Sequence, residues 1–254
     1  INSYEYGADV SIEYPRLETP FKLFRRHRFA STPSTLFSLS GNVLNRADYF
    51  KMFTVTGAVT YKFQTSPNSL HEFSPFLLDY TMLNRTTAAF DSIMDANPAI
   101  YVSMRNQFVP KIKYTYTYTS PAGTRNPLAW ELSLTEAGNI VSLGYMAAGK
   151  RFNAKEKDLF GNPFAQFLKV NTSLRKTWAL GQKSQLVGHV AAGVLWAYGN
   201  SSRGPYSEQF YVGGANSIRA FTIRSIGPGK YVAPSSTYSY LDQTGDIKLE
   251  MNLE

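Results

Sequence analysis

Strict two-residue alternation, repeated along the chain, is the feature that most limits what this sequence can fold into. From Tyr4 the run sets Tyr4, Tyr6, Ala8, Val10 and Ile12 against Glu5, Gly7, Asp9, Ser11 and Glu13. Successive side chains of a strand point to opposite faces, so the pattern describes a strand with one apolar and one acidic face. The segment Phe53 to Gln64 opposes Phe53, Val55, Val59, Tyr61 and Phe63 to Thr54, Thr56, Thr60, Lys62 and Gln64. Lys111 to Tyr118 opposes Ile112, Tyr114, Tyr116 and Tyr118 to Lys111, Lys113, Thr115 and Thr117. Phe164, Leu168, Val170 and Leu174 oppose Phe167, Lys169, Asn171, Ser173 and Arg175. Ile247, Leu249, Met251 and Leu253 oppose Asp246, Lys248, Glu250, Asn252 and Glu254. With weaker stretches at 35–46, 71–83, 126–136 and 184–198, the chain holds about nine strands. One segment, Thr86 to Ala96, has a helical look instead, with Phe90, Ile93 and Met94 on one side and Asn97-Pro98 as its stop.

An antiparallel sheet with one apolar face is either a soluble sandwich, a lipocalin-like barrel, or a barrel in a bilayer. Aromatic content is high, with 17 Phe, 17 Tyr and 3 Trp in 254 residues, while only 17% of residues are charged, below the roughly 25% of an ordinary soluble domain. Strands of about 10 residues with Tyr and Phe near their ends fit a lipid-facing band with interfacial girdles and a polar lumen. Connections alternate in length: short near 47–50, 65–70, 120–125 and 179–183, long at 84–104, 137–162 and 199–241. The 15–33 connection is the exception. These features favour an all-β, transmembrane antiparallel barrel, with the soluble forms as the alternative. A helical membrane protein is excluded, because no stretch approaches the roughly 18 to 20 apolar residues a spanning helix needs; Val187 to Tyr198 is too short and holds His189. The absence of Cys removes disulfides, Cys-ligated metals and thiol nucleophiles together. The chain begins at Ile1 without a leader pattern and stops at Glu254 inside a strand, as expected of an internal piece of a longer polypeptide.

The longest connection contains Phe210 to Lys230, FYVGGANSIRAFTIRSIGPGK. Gly213-Gly214 and Gly227-Pro228-Gly229 permit tight turns or close backbone approach. Phe210, Ile218, Phe221, Ile223 and Ile226 are too apolar for a solvated loop, so the segment is expected to fold back onto the barrel's inner wall. Arg219 then needs a partner, because an unpaired buried charge costs several kcal/mol. Asp246, Glu250 and Glu254 on the polar face of the last strand are the candidates.

The Ile218-Arg219-Ala220-Phe221 sequence resembles the Val/Ile-Arg-Gly-Phe/Tyr signature of the BamA/TamA outer-membrane assembly superfamily. The resemblance implies a sixteen-stranded barrel, of which this chain would supply strands four to twelve as part of one domain, 1–254. The 199–241 loop would be extracellular and folded into the lumen. It further implies that Arg219 is a locking arginine, Phe221 its aromatic neighbour and Glu254 its partner, with Gly213, Gly214, Ile218, Gly227 and Gly229 shaping the loop. Ala220 replaces the usual glycine, which a negative φ accommodates. Removing one partner of such a pair, if buried, is expected to cost roughly 3 to 5 kcal/mol. Implied too are location in the bacterial outer membrane, client outer-membrane β-proteins, periplasmic or lipoprotein accessory subunits, and periplasmic POTRA domains, of which none is expected in this piece.

Other constellations are weaker. His27, His71 and His189 lie in separate segments without ligand spacing, and neither a P-loop ending nor a Gly-x-Ser-x-Gly elbow occurs. No catalytic group, metal or cofactor is expected. The net charge of +8 has one cluster, Phe24 to Phe29 (FRRHRF), read as a solvated turn or a lipid-phosphate contact and not as a nucleic-acid site. Lys111, Lys113, Lys169 and Arg175, with Asp246, Lys248 and Glu250, are expected to face the lumen. That row of cations keeps a second function open, a passive pore or small-solute channel.

Overall fold

The computed structural model describes residues 3–19, 29–46, 49–96, 105–152, 154–155, 157–215, 217–227, 229–230 and 243–254. The cluster Phe24 to Arg28, the stop Asn97-Pro98 and the stretch 231–242 lie outside them.

Nine strands form one antiparallel meander: β1 (Ser3–Tyr14), β2 (Ser34–Arg46), β3 (Phe50–Ser66), β4 (Ser69–Thr86), β5 (Gln107–Thr119), β6 (Leu128–Ala137), β9 (Phe167–Ala179), β10 (Gln185–Ala197) and β11 (Ile247–Leu253). Each pairs with its neighbours in chain order, apart from a two-stranded hairpin, β7 (Asp158–Leu159) with β8 (Asn162–Pro163), between β6 and β9. Every strand expected from the alternation is present. β3 and β4 run to 17 and 18 residues, longer than expected, because Ser66 with Ser69 and Phe50 with Thr86 still pair at their ends. Phe164 is the opposite case. It lies before β9 and makes a parallel bridge to Phe108 at the start of β5.

Register keeps each face consistent across the sheet. Along β1, Tyr4 and Tyr6, then Ala8, Val10 and Ile12, then Tyr14 share one face, and on β3 Phe53, Val55, Gly57, Val59, Tyr61 and Phe63 continue it. On β5 the same face carries Phe108, then Pro110 and Ile112, then Tyr114, Tyr116 and Tyr118. Aromatics cluster toward strand ends with aliphatic or small residues between them, and Val10, Leu39, Val194 and Met251 on this face are exposed. Where β6 stops, Pro110 has no N–H to leave unpaired, and its carbonyl accepts from the Gly138 N–H at 2.9 Å.

Helix α1 (Ala88–Ala96) starts where the Thr87 hydroxyl accepts the Phe90 N–H at 3.3 Å. Phe90 and Met94, one turn apart, pack onto Phe50, with Tyr206 of the long connection beside them. A second helix, α2 (Asn139–Ala147), lies inside the 137–162 connection, where none was expected. Among the described residues no helix is long and apolar enough to cross a membrane.

Candidate functional site

The polar face of the sheet holds the described parts of the connection between β10 and β11. Four attachments fix it there.

The deepest is ionic. Glu208 accepts Lys111 Nζ from β5 at 2.8 Å on one carboxylate oxygen and Lys169 Nζ from β9 at 2.9 Å on the other. Lys111 also pairs with Asp79 of β4. Two ammonium groups and two carboxylates thus close a neutral cluster that ties the connection to three strands. Burial would push the Glu208 carboxyl up, but the adjacent Lys111 and Lys169 charges and hydrogen bonds outweigh it and hold it at about 2, against 4.5 for the free group. A depressed folded-state value means the stabilisation is complete above about 4.5 and is lost as pH falls through about 2. It amounts to on the order of 3 kcal/mol. Urea unfolding of wild type and Glu208→Gln should therefore show a gap at pH 7 that closes between pH 4.5 and 2; a gap independent of pH would contradict the cluster.

The second attachment is a ring in a slot. Phe210 packs on the buried cluster of Val109, Ala137, Ala165, Phe167 and Leu195, with Lys169 Nζ 5.0 Å from its centroid. Gly193 makes the slot, since a Cβ there would lie 2.4 Å from the ring. The third is a backbone bridge: Phe210 and Gly245 exchange both hydrogen bonds at 2.9 Å, and Leu195 N–H reaches Asp246 O at 2.7 Å.

The fourth carries the Gly-Gly and Arg motifs. Gly213 and Gly214 have φ of 98° and 94°, and Gly214 N–H donates to Phe221 O at 2.8 Å while Arg224 N–H donates to Val212 O at 3.1 Å. Ser217 accepts the Gly213 N–H at 3.1 Å and donates to Glu250 at 2.6 Å. Glu250 also takes Lys248 Nζ and Asn252 Nδ2, each at 3.0 Å, and its side chain is 2% exposed. Arg219 pairs with Glu254 at 3.0 Å. The two residues border a cavity of about 440 Å³ with Arg175, His189 and Ser217. Arg224, at φ 59°, lies 4.7 Å from the Tyr206 ring and 4.3 Å from that of Tyr211.

The expected pairing of Arg219 with Glu254 is thus present, while its burial is not: the side chains are 72% and 56% exposed. Phe221 and Ile223 are exposed as well, so the apolar packing expected of the whole segment belongs to Phe210 and, in part, to Ile218 and Ile226. Residues 220–223 are exposed, and the Gly214 and Arg224 amides close the loop on itself through Phe221 and Val212. Ala220 is not among the described positive-φ residues, so its methyl is accommodated. Gly227 borders a cavity of about 340 Å³ with Ile218 and Ile226, and Gly229 is left-handed with open space around it. Of the expected inward charges, Lys111, Lys169, Lys248 and Glu250 are engaged, Arg175 borders the cavity, Lys113 is exposed on the polar face, and Asp246 contributes its backbone carbonyl. Sequence reasoning missed Glu208, Asp79, Ser217, Tyr206 and Arg224. Inward Lys111 and Lys169 were the available signal, since two inward cations ask for nearby anions. His71 lies on the apolar face against Phe63 and Tyr114, and His189 bonds Ser173 at 2.9 Å on the polar face. Among the described residues no group of His, Asp and Glu is placed to hold a metal.

A nine-stranded antiparallel meander with an apolar, aromatic-ended face and a loop fastened to its polar face is consistent with part of a β-barrel. Residues 4–254 match the Omp85 superfamily domain, and the chain belongs to that superfamily, a bacterial outer-membrane family of barrels that insert or translocate proteins. A comparison with curated proteins found no match.

Proposed function

We propose that this chain is most of the wall of an outer-membrane barrel that inserts client β-proteins or translocates them, and that the connection between β10 and β11 lies in the lumen as its internal brace. The observation that carries the reading is the Glu208 cluster, which joins that connection to β4, β5 and β9 through paired charges. Neutralised lysines also weigh against the pore reading, since a selective constriction needs Lys111 and Lys169 free to meet ions. No catalytic group enters the account; the work is strand templating by edge pairing. Client β-proteins, accessory subunits and the bilayer are its partners, and the bacterial outer membrane its location.

Arg219 and Glu254 form the exposed end of the brace. An exposed ion pair contributes about 1 kcal/mol or less, so Arg219→Ala should leave urea unfolding nearly unchanged while slowing client insertion into proteoliposomes. Unchanged insertion would remove Arg219 from the mechanism.

A further inference from the structure

Helix α2 carries an apolar face that none of the described residues covers. Its buried side centres on Ser142, with Tyr145 stacked on the buried Phe164. Ser142 donates to Gln166 at 2.9 Å and receives Lys157 Nζ at 2.9 Å, while Ile140, about 160° around the helix from it, Leu143, about 100° around, and Met146 nearer to it are exposed. The exposed surface of the helix is therefore apolar, whereas a soluble amphipathic helix turns its apolar stripe inward.

The adjoining hairpin does the same. Phe160 sits at its tip at φ 52°, a conformation bulky residues avoid, and its side chain is 84% exposed. Its ring meets Phe108 edge-on at 5.9 Å, and Phe108 stacks on Tyr80 at 4.4 Å. Both belong to the apolar face of the sheet. On the other flank, Asn139 at the base of α2 bonds the Tyr198 hydroxyl at 2.8 Å, and Tyr198 packs on the exposed Trp196 of that same face. The uncovered surface of α2 and Phe160 is therefore continuous with the face that the barrel reading turns to lipid. Lys150 and Arg151, both exposed, follow the end of the helix.

We propose that α2 and the Phe160 tip form an interfacial foot, with Ile140, Leu143 and Phe160 in the outer leaflet and Lys150 and Arg151 on anionic lipid phosphates. An amphipathic helix with neighbouring cations binds such a boundary through its apolar area and charge. The proposal rests on the barrel reading, and its test separates the two. The chain has no Cys, so within it Leu143→Cys offers one site for an environment-sensitive fluorophore, with any Cys elsewhere in the complete protein replaced by Ser and the protein reconstituted with nitroxide-bearing lipids. Leu249→Cys, on the apolar face of β11, reports whether the wall itself is in the bilayer. The expected result is a blue-shifted emission at position 143 that shallow nitroxides quench. Quenching should be stronger in vesicles containing phosphatidylglycerol than in phosphatidylcholine alone, and Lys150→Glu with Arg151→Glu should abolish that preference. An unquenched label at 143 beside a quenched one at 249 would overturn the foot and leave the barrel standing, as would a blue-shifted label at 143 that no lipid quenches. Absence of quenching at both positions would overturn both.

Discussion

Glu208→Ala is expected to destabilise the folded protein by about 3 kcal/mol, the lower end of the cost of stranding a buried charge, because the Lys169 side chain is 21% exposed. Lys169 loses its carboxylate outright, whereas Lys111 keeps Asp79. The released ammonium lies 5.0 Å from the Phe210 centroid, so the ring in the Gly193 slot is disturbed with it. Urea unfolding in lipid vesicles measures the loss, and limited proteolysis should cut the connection between β10 and β11 faster in the variant. Lys169→Met in the Glu208→Ala background removes the stranded charge and should recover part of the stability. A Glu208→Ala protein as stable and as protease-resistant as wild type would show that the cluster fastens nothing.

Gly213→Val should produce the second large effect, for a steric reason. At φ 98° a β-branched residue is strained, and a Cβ there would stand 2.2 Å from the Thr222 carbonyl oxygen, a backbone atom that cannot rotate aside. Strain of about 1 to 3 kcal/mol adds to the loss of the cross-loop hydrogen bonds at 212–224, each about 0.5 to 1.5 kcal/mol. The expected sum is about 3 kcal/mol, with amide exchange at Gly214 and Arg224 accelerated because their donors no longer reach Phe221 and Val212. Gly229→Ala is the matched control: it shares the left-handed backbone, but no atom of the described residues crowds the new methyl, so its cost should stay at about 1 kcal/mol. Unchanged protection at 212–224 in Gly213→Val would contradict the close approach.

The sheet was legible because alternation encodes it directly. Residues four apart on β1 or β3 report the same face, and no tertiary knowledge is needed to sort them. Strand ends were less legible, since Ser66 and Ser69 look like turn residues and yet pair. Helix α2 escaped notice because its apolar residues do not face a core, and Gly138 and Gly144 read as loop punctuation. In the site, the Gly-Gly turn and the Arg219–Glu254 pair could be read from motif and strand face, but the burial of that pair could not, because it depends on how the loop closes on itself. Glu208 was invisible for a related reason. It lies in a segment without period, where a carboxylate reads as solvated, and only the fold brings it between Lys111 and Lys169.

The most direct test of the brace is the insertion rate of a client outer-membrane β-protein into proteoliposomes holding either the wild-type barrel or Glu208→Gln, at neutral pH and a temperature where both remain folded. A connection that must stay fastened to β4, β5 and β9 predicts a marked loss of insertion in the variant. Equal rates would mean that the cluster holds the wall together without taking part in what the barrel does.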